Sequence, residues 1–416
     1  MKNNFFEISP DIYKVGEKAL ENTRSSFERI DEITEYNQLK MLRAFQDARV
    51  SESLFSGSTG YGYDDRGREA LDRIFAQVLD TEDALVRHHF ASGTHTLTVA
   101  LFGVLRPGDT MLSVTGTPYD TLQGVIGIGK NYSGSLKDFD VKYEQVELLS
   151  DGSVDYDGIR NALKPDTKMV YIQRSRGYSL RPSLLTQDLK KISELTRSIV
   201  PDCIIMLDNC YGEFVETDAP GKYVDLMAGS LIKNPGGGIA PTGGYIAGRA
   251  DLVEKCAFRL TTPGTGKEIG CTLGHSRELF MGAFHAPHVT GEALKTAVFA
   301  AAVFDLLGYE VTPKYDEVRG DIIQAVLLGN EERLIHFCQG IQAASPIDSF
   351  VTPEPWDMPG YDSKVIMAAG AFTLGSSIEL SADAPLREPY AVWMQGGLNF
   401  HSGKTAVLLA AENMRK

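Results

Sequence analysis

The string DNCYGE at residues 208–213 lies at the end of an apolar run that begins at residue 199. The string SLIKNPGGG at residues 230–238 lies at the end of another, which begins at residue 225. Apolar runs separated by helical patterns are typical of a mostly parallel sheet that is covered on both faces. In such sheets, ligand-binding and catalytic residues lie at the carboxyl ends of the strands. Asp208 and Lys233, which are 25 positions apart, are therefore the leading candidates for a functional site.

The same alternation extends over the middle of the chain. A helical pattern covers about 94–104, between two apolar runs. The remaining apolar runs lie at 84–90, 109–114, 168–173, 225–231 and 243–248. Their spacing leaves room for helical crossovers, so the sequence predicts an α/β fold with a mostly parallel sheet between helices.

The two ends of the chain differ in composition from this middle part. Residues 11–50 are polar and rich in helix formers, with Ile30, Ile33, Leu39, Leu42 and Phe45 at roughly helical spacing. An apolar helical pattern at about 274–307 precedes a last segment with strand and helix signals of its own. We therefore expect an N-terminal helical arm at 1–50, a large domain at 51–290 and a small C-terminal domain at 291–416.

The overall composition indicates a folded protein and excludes several classes of partner. The chain has 416 residues, of which 43% are hydrophobic and 23% are charged, as in ordinary globular proteins. Its formal net charge of -14 repels phosphate backbones and anionic membrane surfaces. We expect neither a nucleic acid nor a membrane as partner.

Cysteine usage and the apolar runs bear on the compartment. The five cysteines include no C-x-x-C pair, so the pattern indicates neither a disulfide framework nor a zinc finger. The start, MKNNFFEISPDIY, has no apolar stretch of signal-peptide length, and no run approaches the length of a membrane span. We therefore expect a cytoplasmic protein.

The surroundings of Lys233 suggest a reactive amine. Leu231 and Ile232 precede it and a glycine-rich backbone follows, so we expect a desolvated pocket that lowers the pKa of the amine. A neutral lysine that condenses with an aldehyde, together with a carboxylate that keeps a pyridine nitrogen protonated, is how proteins use pyridoxal phosphate. Asp208 meets the second requirement. The alternative is that Asp208 caps a turn and Lys233 lies on the surface.

Such a cofactor also requires a phosphate site and a ring contact. Ser92, Gly93 and Thr94 lie between a predicted strand and a predicted helix, where backbone N–H groups and the helix dipole attract an anion. Alternatively, Ser92 only caps that helix. Tyr119, in the string TGTPYD, is placed to stack on a pyridine ring, or it is an exposed turn tyrosine.

The order of these residues resembles the pyridoxal-phosphate enzymes of the aspartate-aminotransferase fold, or fold type I, and specifically the cystathionine and methionine lyase group. Four strings are similar to its methionine-gamma-lyase-like branch, often labelled aluminium resistance protein. They are QRSRGY at 173–178, DNCYGEF at 208–214, SLIKNPGGGIAPTGGYIAG at 230–248 and SSIELSAD at 376–383. The resemblance implies a seven-stranded, mostly parallel sheet in the large domain and a smaller α+β domain.

The resemblance also implies roles in holding the cofactor, pyridoxal 5'-phosphate. Lys233 would hold it and later move the substrate α-proton, Asp208 would pair with its ring nitrogen, and Tyr119 would stack on the ring and take part in catalysis. The residues that would contact its phosphate are Ser92, Gly93, Thr94 and Ser230. Ile232 departs from the pattern, because relatives commonly have a hydroxyl residue there.

Further implied roles concern a neighbouring subunit and the substrate. Tyr61, Tyr63 and Arg66 look like the segment that reaches into a neighbour's phosphate site, with Tyr61 close to the catalytic centre, so we expect a homodimer or homotetramer with shared active sites. Arg387 would clamp the α-carboxylate of an amino-acid substrate. The alternative for Arg387 is a solvated surface charge.

Two patterns are set aside. The string PGTGKE at 263–268 lacks the spacing of a phosphate-binding P-loop and has Glu268 where that motif needs a hydroxyl. His88 and His89 are adjacent on a predicted strand, so they would point to opposite faces and not share a metal ion. We expect no metal site.

The leading functional hypothesis is a carbon–sulfur lyase that acts on a sulfur amino acid, as in cystathionine beta-lyase or methionine gamma-lyase elimination. A second hypothesis keeps the cofactor but changes the reaction to that of an aldolase, an aminotransferase or a decarboxylase. A third is a non-catalytic, stress-related binding protein on the same scaffold. The sequence leaves all three open.

Overall fold

The computed structural model describes residues 5–129, 132–358 and 363–415. A seven-stranded sheet organises the first part of the chain. Its strands are β1 (Asp83–Arg87), β2 (Thr110–Ser113), β3 (Lys142–Gln145), β4 (Thr167–Gln173), β5 (Ile204–Asp208), β6 (Leu226–Ser230) and β7 (Gly244–Gly248). Their order is β1-β7-β6-β5-β4-β2-β3, and of these seven strands β7 alone runs in the direction opposite to the other six. The predicted α/β fold with a mostly parallel sheet is confirmed.

Helices cover both faces of this sheet. They are α3 (Arg66–Val78), α4 (Gly93–Val104), α5 (Asp120–Ile126), α6 (Tyr156–Ala162), α7 (Thr186–Ile199) and α8 (Ala250–Leu260). Successive strand residues pack into different apolar clusters, as Val170 and Tyr171 of β4 show. Because side chains alternate along a strand, burial on both faces explains why these strands are continuous apolar runs in the sequence.

Three further helices lie in sequence before α3 or after α8. They are α1 (Pro10–Asn22), α2 (Arg24–Asp47) and α9 (Ser276–Leu306). Helix α2 packs along α9, and Gln38 Nε2 donates to the backbone oxygen of Phe284 at 2.9 Å. Ile30 is buried, but Leu39 and Leu42 are 57% and 41% exposed. The apolar spacing in 11–50 therefore predicts the helices correctly but does not mark one buried face.

The last part of the chain forms a second sheet of five antiparallel strands. They are β8 (Glu310–Thr312), β9 (Gln324–Leu327), β10 (Val365–Ala368), β11 (Ser381–Pro385) and β12 (Ala391–Gln395), in the order β10-β11-β12-β9-β8. Helices α10 (Glu331–Ala343) and α11 (Phe400–Asn413) pack on it. Because α9 runs through residue 290, the predicted domain boundary falls inside a helix and stays a prediction.

Two features of the fold were not anticipated. Strand β3 has the sequence KYEQ and lies at the sheet edge, where exposure replaces the apolar run of a buried strand. His88 and His89 lie in a turn after β1, not on a strand, and their ring centroids are 4.0 Å apart, so the expectation that they point to opposite faces is wrong.

In the described residues, no helix is both long enough and apolar enough for a membrane span.

Candidate active site

A cavity of about 730 Å³ opens at the carboxyl ends of the parallel strands. Asp208, Lys233 and Tyr119 border it from the side of the large sheet. Arg387 and Gln395 border it from the second sheet. The chain therefore brings four of the predicted site residues to one concave surface, and it adds Gln395.

Asp208 and Lys233 reach this cavity from neighbouring strands. Asp208 is the last residue of β5, which pairs in parallel with β6, and Lys233 lies three residues beyond Ser230 at the end of β6. Asp208 is 4% exposed, and its Oδ1 accepts a hydrogen bond from the Cys210 backbone at 3.1 Å. It thus caps a turn, as the alternative proposed, but it also faces the cavity together with Lys233.

The electrostatics of this pair correct one expectation. Burial raises the pKa of Asp208, against the opposing effects of Lys233, the Cys210 donors and the Tyr171 hydroxyl. Burial acts to lower the pKa of Lys233, but Cys210, Tyr211 and Asp208 outweigh it and raise that pKa well above its ordinary value. The predicted lowering of the Lys233 pKa is therefore wrong. The side chains of this pocket hold the amine as an ammonium, which must lose a proton before it attacks a carbonyl.

The start of α4 forms an anion-binding corner. A Cβ on Gly93 would lie 3.3 Å from the Cβ of Ser230, so the glycine lets the helix terminus approach this serine closely. Ser230 Oγ is buried and has no hydrogen-bond partner within the described residues. A donor without an acceptor beside a helix N-terminus fits the phosphate of the expected cofactor. Ser92 Oγ caps α4 by accepting from His95 N at 3.1 Å, as its alternative proposed.

Tyr119 is held at two points. Its hydroxyl lies 2.5 Å from Thr94 Oγ1, and its backbone N–H donates to Gln173 Oε1 at 2.9 Å. Burial and the nearby charge of Asp208 raise the pKa of Tyr119 to about 12. The phenol therefore stays neutral near pH 7, and the ring is fixed beside the anion-binding corner. An exposed turn tyrosine does not describe this residue.

The loop with Tyr61, Tyr63 and Arg66 lies away from the cavity of its own chain. Tyr61 and Tyr63 are 70% and 60% exposed, and their rings stack at 5.5 Å between centroids. Arg66, the first residue of α3, is also exposed. Their contact with the phosphate site of a neighbouring subunit stays a prediction.

Two buried residues anchor this loop, one at its end and one in the first turn of α3. Arg68 is 1% exposed, and its Nη1 donates to the backbone oxygens of Gly62 and Gly270 at 2.8 and 2.9 Å. Asp65 accepts from Arg68 N at 2.9 Å and from Thr272 Oγ1 at 2.7 Å. The loop is thus anchored by hydrogen bonds although its aromatic side chains face outward. Sequence analysis missed both residues; the signal was an acid placed as the N-cap of α3.

Hydrogen bonds connect the segment QRSRGY at 173–178 to the segment DNCYGEF at 208–214. Arg174 is 1% exposed, and its Nη1 donates to Asn209 Oδ1 at 2.9 Å and to the Gly212 oxygen at 2.7 Å. Arg181 Nη2 donates to the backbone oxygen of Gln173 at 2.8 Å, at the end of β4. Because β4 and β5 are neighbours, these arginines fix the loops that follow both strands. Sequence analysis noted the string but not this function.

Arg387 follows β11 and borders the cavity with an exposed side chain. None of the ion pairs found among the described residues involves its guanidinium. It is therefore both a solvated charge and a group available for a carboxylate. Among the residues that the structure describes, no group of three His, Cys, Asp or Glu side chains is arranged to hold a metal ion.

Comparison with known proteins identifies the family. The family model described as methionine gamma-lyase matches residues 12–415. The uncharacterized protein YnbB of Bacillus subtilis is 49% identical over 388 residues, which are 93% of this chain and 92% of that protein. A crystal structure from Clostridium novyi is 52% identical, with a TM-score of 0.94 over 97% of this chain and 96% of that one, and it is described as a carbon–sulfur lyase involved in aluminium resistance.

More distant structures share the fold. The pyridoxal-5'-phosphate dependent protein YhfS of Escherichia coli is 13% identical, with a TM-score of 0.63 over 93% of this chain and 97% of that one. The resemblance and the fold type expected from the sequence are confirmed. The chain belongs to the methionine gamma-lyase family of pyridoxal-phosphate-dependent carbon–sulfur lyases.

Proposed function

We propose that this protein cleaves the carbon–sulfur bond of a sulfur amino acid by β- or γ-elimination. The reaction consumes one water and releases a thiol, a 2-oxo acid and ammonia. One observation carries the proposal: Lys233 and Asp208, at the ends of two adjacent parallel strands, face one cavity of about 730 Å³. That volume accommodates a cofactor together with an amino acid.

Three side chains that border the cavity have a role in this proposal. When bound, pyridoxal phosphate supplies an electron sink for the electrons released at the substrate α-carbon. Lys233 holds the cofactor through its amine and, once released, takes the proton from the α-carbon. Asp208 stabilises a protonated ring nitrogen, because a buried carboxylate needs a cationic partner. Arg387 binds the α-carboxylate as a bidentate fork.

The phosphate would lie at the start of α4. Gly93 and Thr94 present the helix N-terminus, and Ser230 supplies its unpartnered hydroxyl. Ser92 lies next to them as the N-cap. Tyr119, tied to Thr94, would keep its ring against the pyridine and assist proton transfer.

The active site would be completed by a second copy of the chain. Tyr61, Tyr63 and Arg66 are exposed on a loop that buried hydrogen bonds anchor, which suits a surface that meets a neighbour. The proposed catalytic unit is therefore a homodimer, or a homotetramer built from such dimers. Its proposed location is the cytoplasm.

A product assay tests the elimination. Purified protein is incubated with L-methionine, L-cystathionine, S-methyl-L-cysteine and non-sulfur amino acids, and thiol, 2-oxo acid and aldehyde are measured. We expect thiol and 2-oxo acid in equal amounts from at least one sulfur amino acid. Aldehyde without thiol would indicate aldol cleavage, and no product from any sulfur amino acid would contradict the proposal.

A further inference from the structure

A buried carboxylate outside the expected catalytic set lies behind the cavity wall. Asp383, in the middle of β11, is 4% exposed and does not border the cavity. Its strand pairs with β12, which ends at Gln395, a residue that does border the cavity. Tyr178, from the loop after β4, borders the cavity from the other sheet. Asp383 thus lies where the two sheets meet.

Asp383 joins these two cavity residues through one oxygen. Its Oδ2 accepts a hydrogen bond from the Tyr178 hydroxyl at 2.9 Å and from Gln395 Nε2 at 3.0 Å. Its Oδ1 is buried and has no hydrogen-bond partner in the described parts of the chain. Burial raises the pKa of Asp383 to about 6, against the two donors. A carboxylate so placed costs folding free energy, which indicates a use beyond packing.

The amide of Gln395 has its orientation fixed by this contact. Its Nε2 also donates to Ser381 Oγ at 3.1 Å, so both amide hydrogens are directed away from the cavity. An ionised carboxylate can only accept hydrogen bonds, so the amide cannot turn over without losing one. Gln395 Oε1 therefore remains as an acceptor in the wall of the cavity.

We propose that Asp383 is a positioning residue for substrate binding, which aims Gln395 Oε1 into the cavity wall that also carries Arg387. The carboxylate group of an α-amino acid would bind Arg387. The N–H group of the same amino acid would donate to Gln395 Oε1. This inference rests on the proposed function, because it needs an amino acid in this cavity. It adds an acceptor to the guanidinium already assigned.

The test measures binding by the change in visible absorption of the cofactor-loaded enzyme. The titrant is the sulfur amino acid that perturbs the wild-type spectrum at the lowest concentration. We expect Asp383→Ala and Gln395→Ala each to raise the apparent Kd about tenfold, as for one lost hydrogen bond. Asp383→Asn keeps an acceptor oxygen for both donors, so its Kd should stay within about threefold of wild type.

The double variant separates positioning from two independent contacts. If Asp383 acts through Gln395, Asp383→Ala/Gln395→Ala binds about as well as either single variant. An unchanged Kd in Asp383→Ala, or a roughly hundredfold loss in the double variant, overturns the inference. If Asp383→Ala does not fold, an unchanged Kd in Gln395→Ala overturns it. A wild-type spectrum that responds to no amino acid would instead refute the proposed function and the inference with it.

Discussion

The amine of Lys233 lies 3.9 Å from the centre of the Tyr211 ring. Tyr211 has a φ of +70°, a left-handed conformation that glycine adopts readily and tyrosine rarely does. Such a conformation costs about 1–3 kcal/mol and persists where the surrounding structure imposes it. The ring therefore contributes to holding the ammonium in place between β5 and β6, in addition to the charge of Asp208.

This placement makes Lys233 the residue to test for cofactor attachment. In Lys233→Ala, borohydride reduction should leave no cofactor mass on the protein, and thiol release should fall by a factor of roughly 10³ or more. Mass spectrometry and the product assay measure the two effects. Lys255→Ala, on the exposed face of α8, is the matched control and should match wild type. A reduced adduct in Lys233→Ala would show that another amine binds the cofactor.

The unpartnered hydroxyl of Ser230 gives a second prediction. Ser230→Ala should raise the Kd for pyridoxal phosphate by about tenfold to a hundredfold, because a charge-assisted hydrogen bond contributes roughly 1.5–3 kcal/mol. Apparent affinity is measured by reconstituting the stripped protein with cofactor and following absorption.

Ser135 is a suitable control, since its hydroxyl is also buried and without a partner in the described chain. Ser135→Ala should leave cofactor affinity unchanged. Equal affinity in Ser230→Ala and wild type would remove Ser230 from the phosphate site.

Strong local signals made most of the fold and part of the site predictable. The apolar runs gave β4, β5 and β6 because these strands are buried on both faces, and their ends placed Asp208 and Lys233 together. Strand β3 was missed because an edge strand with exposed side chains has no apolar run. The pattern of apolar residues along a sequence reflects which residues are buried. Elements that are little buried therefore cannot be predicted from that pattern.

Long-range contacts were the part that the sequence left open. The sign of the Lys233 pKa shift depends on which groups other elements place around the amine, and flanking residues predicted it wrongly. The link from Asp383 to Tyr178 joins residues 205 positions apart. Neither feature has a local pattern, because the first depends on the pairing of β5 with β6 and the second on the meeting of the two sheets.

The shared-site hypothesis predicts an effect of Arg66 on a cavity that it does not border. Arg66→Ala should weaken cofactor retention about tenfold or more, because a cationic contact to phosphate is lost. Retention is measured as cofactor absorption remaining after extended dialysis. Arg73→Ala, on the same helix and also exposed, should retain cofactor as wild type does. Equal loss in the two variants, or none in either, would contradict a role for Arg66 in a neighbour's site.

Glu213 makes the stability of the fold depend on pH. It is 1% exposed, its Oε1 accepts from the Tyr245 hydroxyl at 2.9 Å, and burial raises its pKa from 4.5 to about 8. Between these values the folded chain holds a proton that the unfolded chain has released. The free energy of unfolding should therefore fall as pH rises from about 4.5 to 8.

Glu213→Gln removes this dependence, because the amide carries no ionisable proton yet keeps an oxygen for Tyr245. At pH 7 the variant should be more stable than wild type by on the order of 3 kcal/mol, and the difference should nearly vanish as pH falls to about 4. Urea unfolding across this pH range measures both. Glu194→Gln, at an exposed position of α7, should show no such gain. A Glu213→Gln variant that is less stable than wild type at every pH would mean that the carboxyl is ionised in the fold and bound there by a partner.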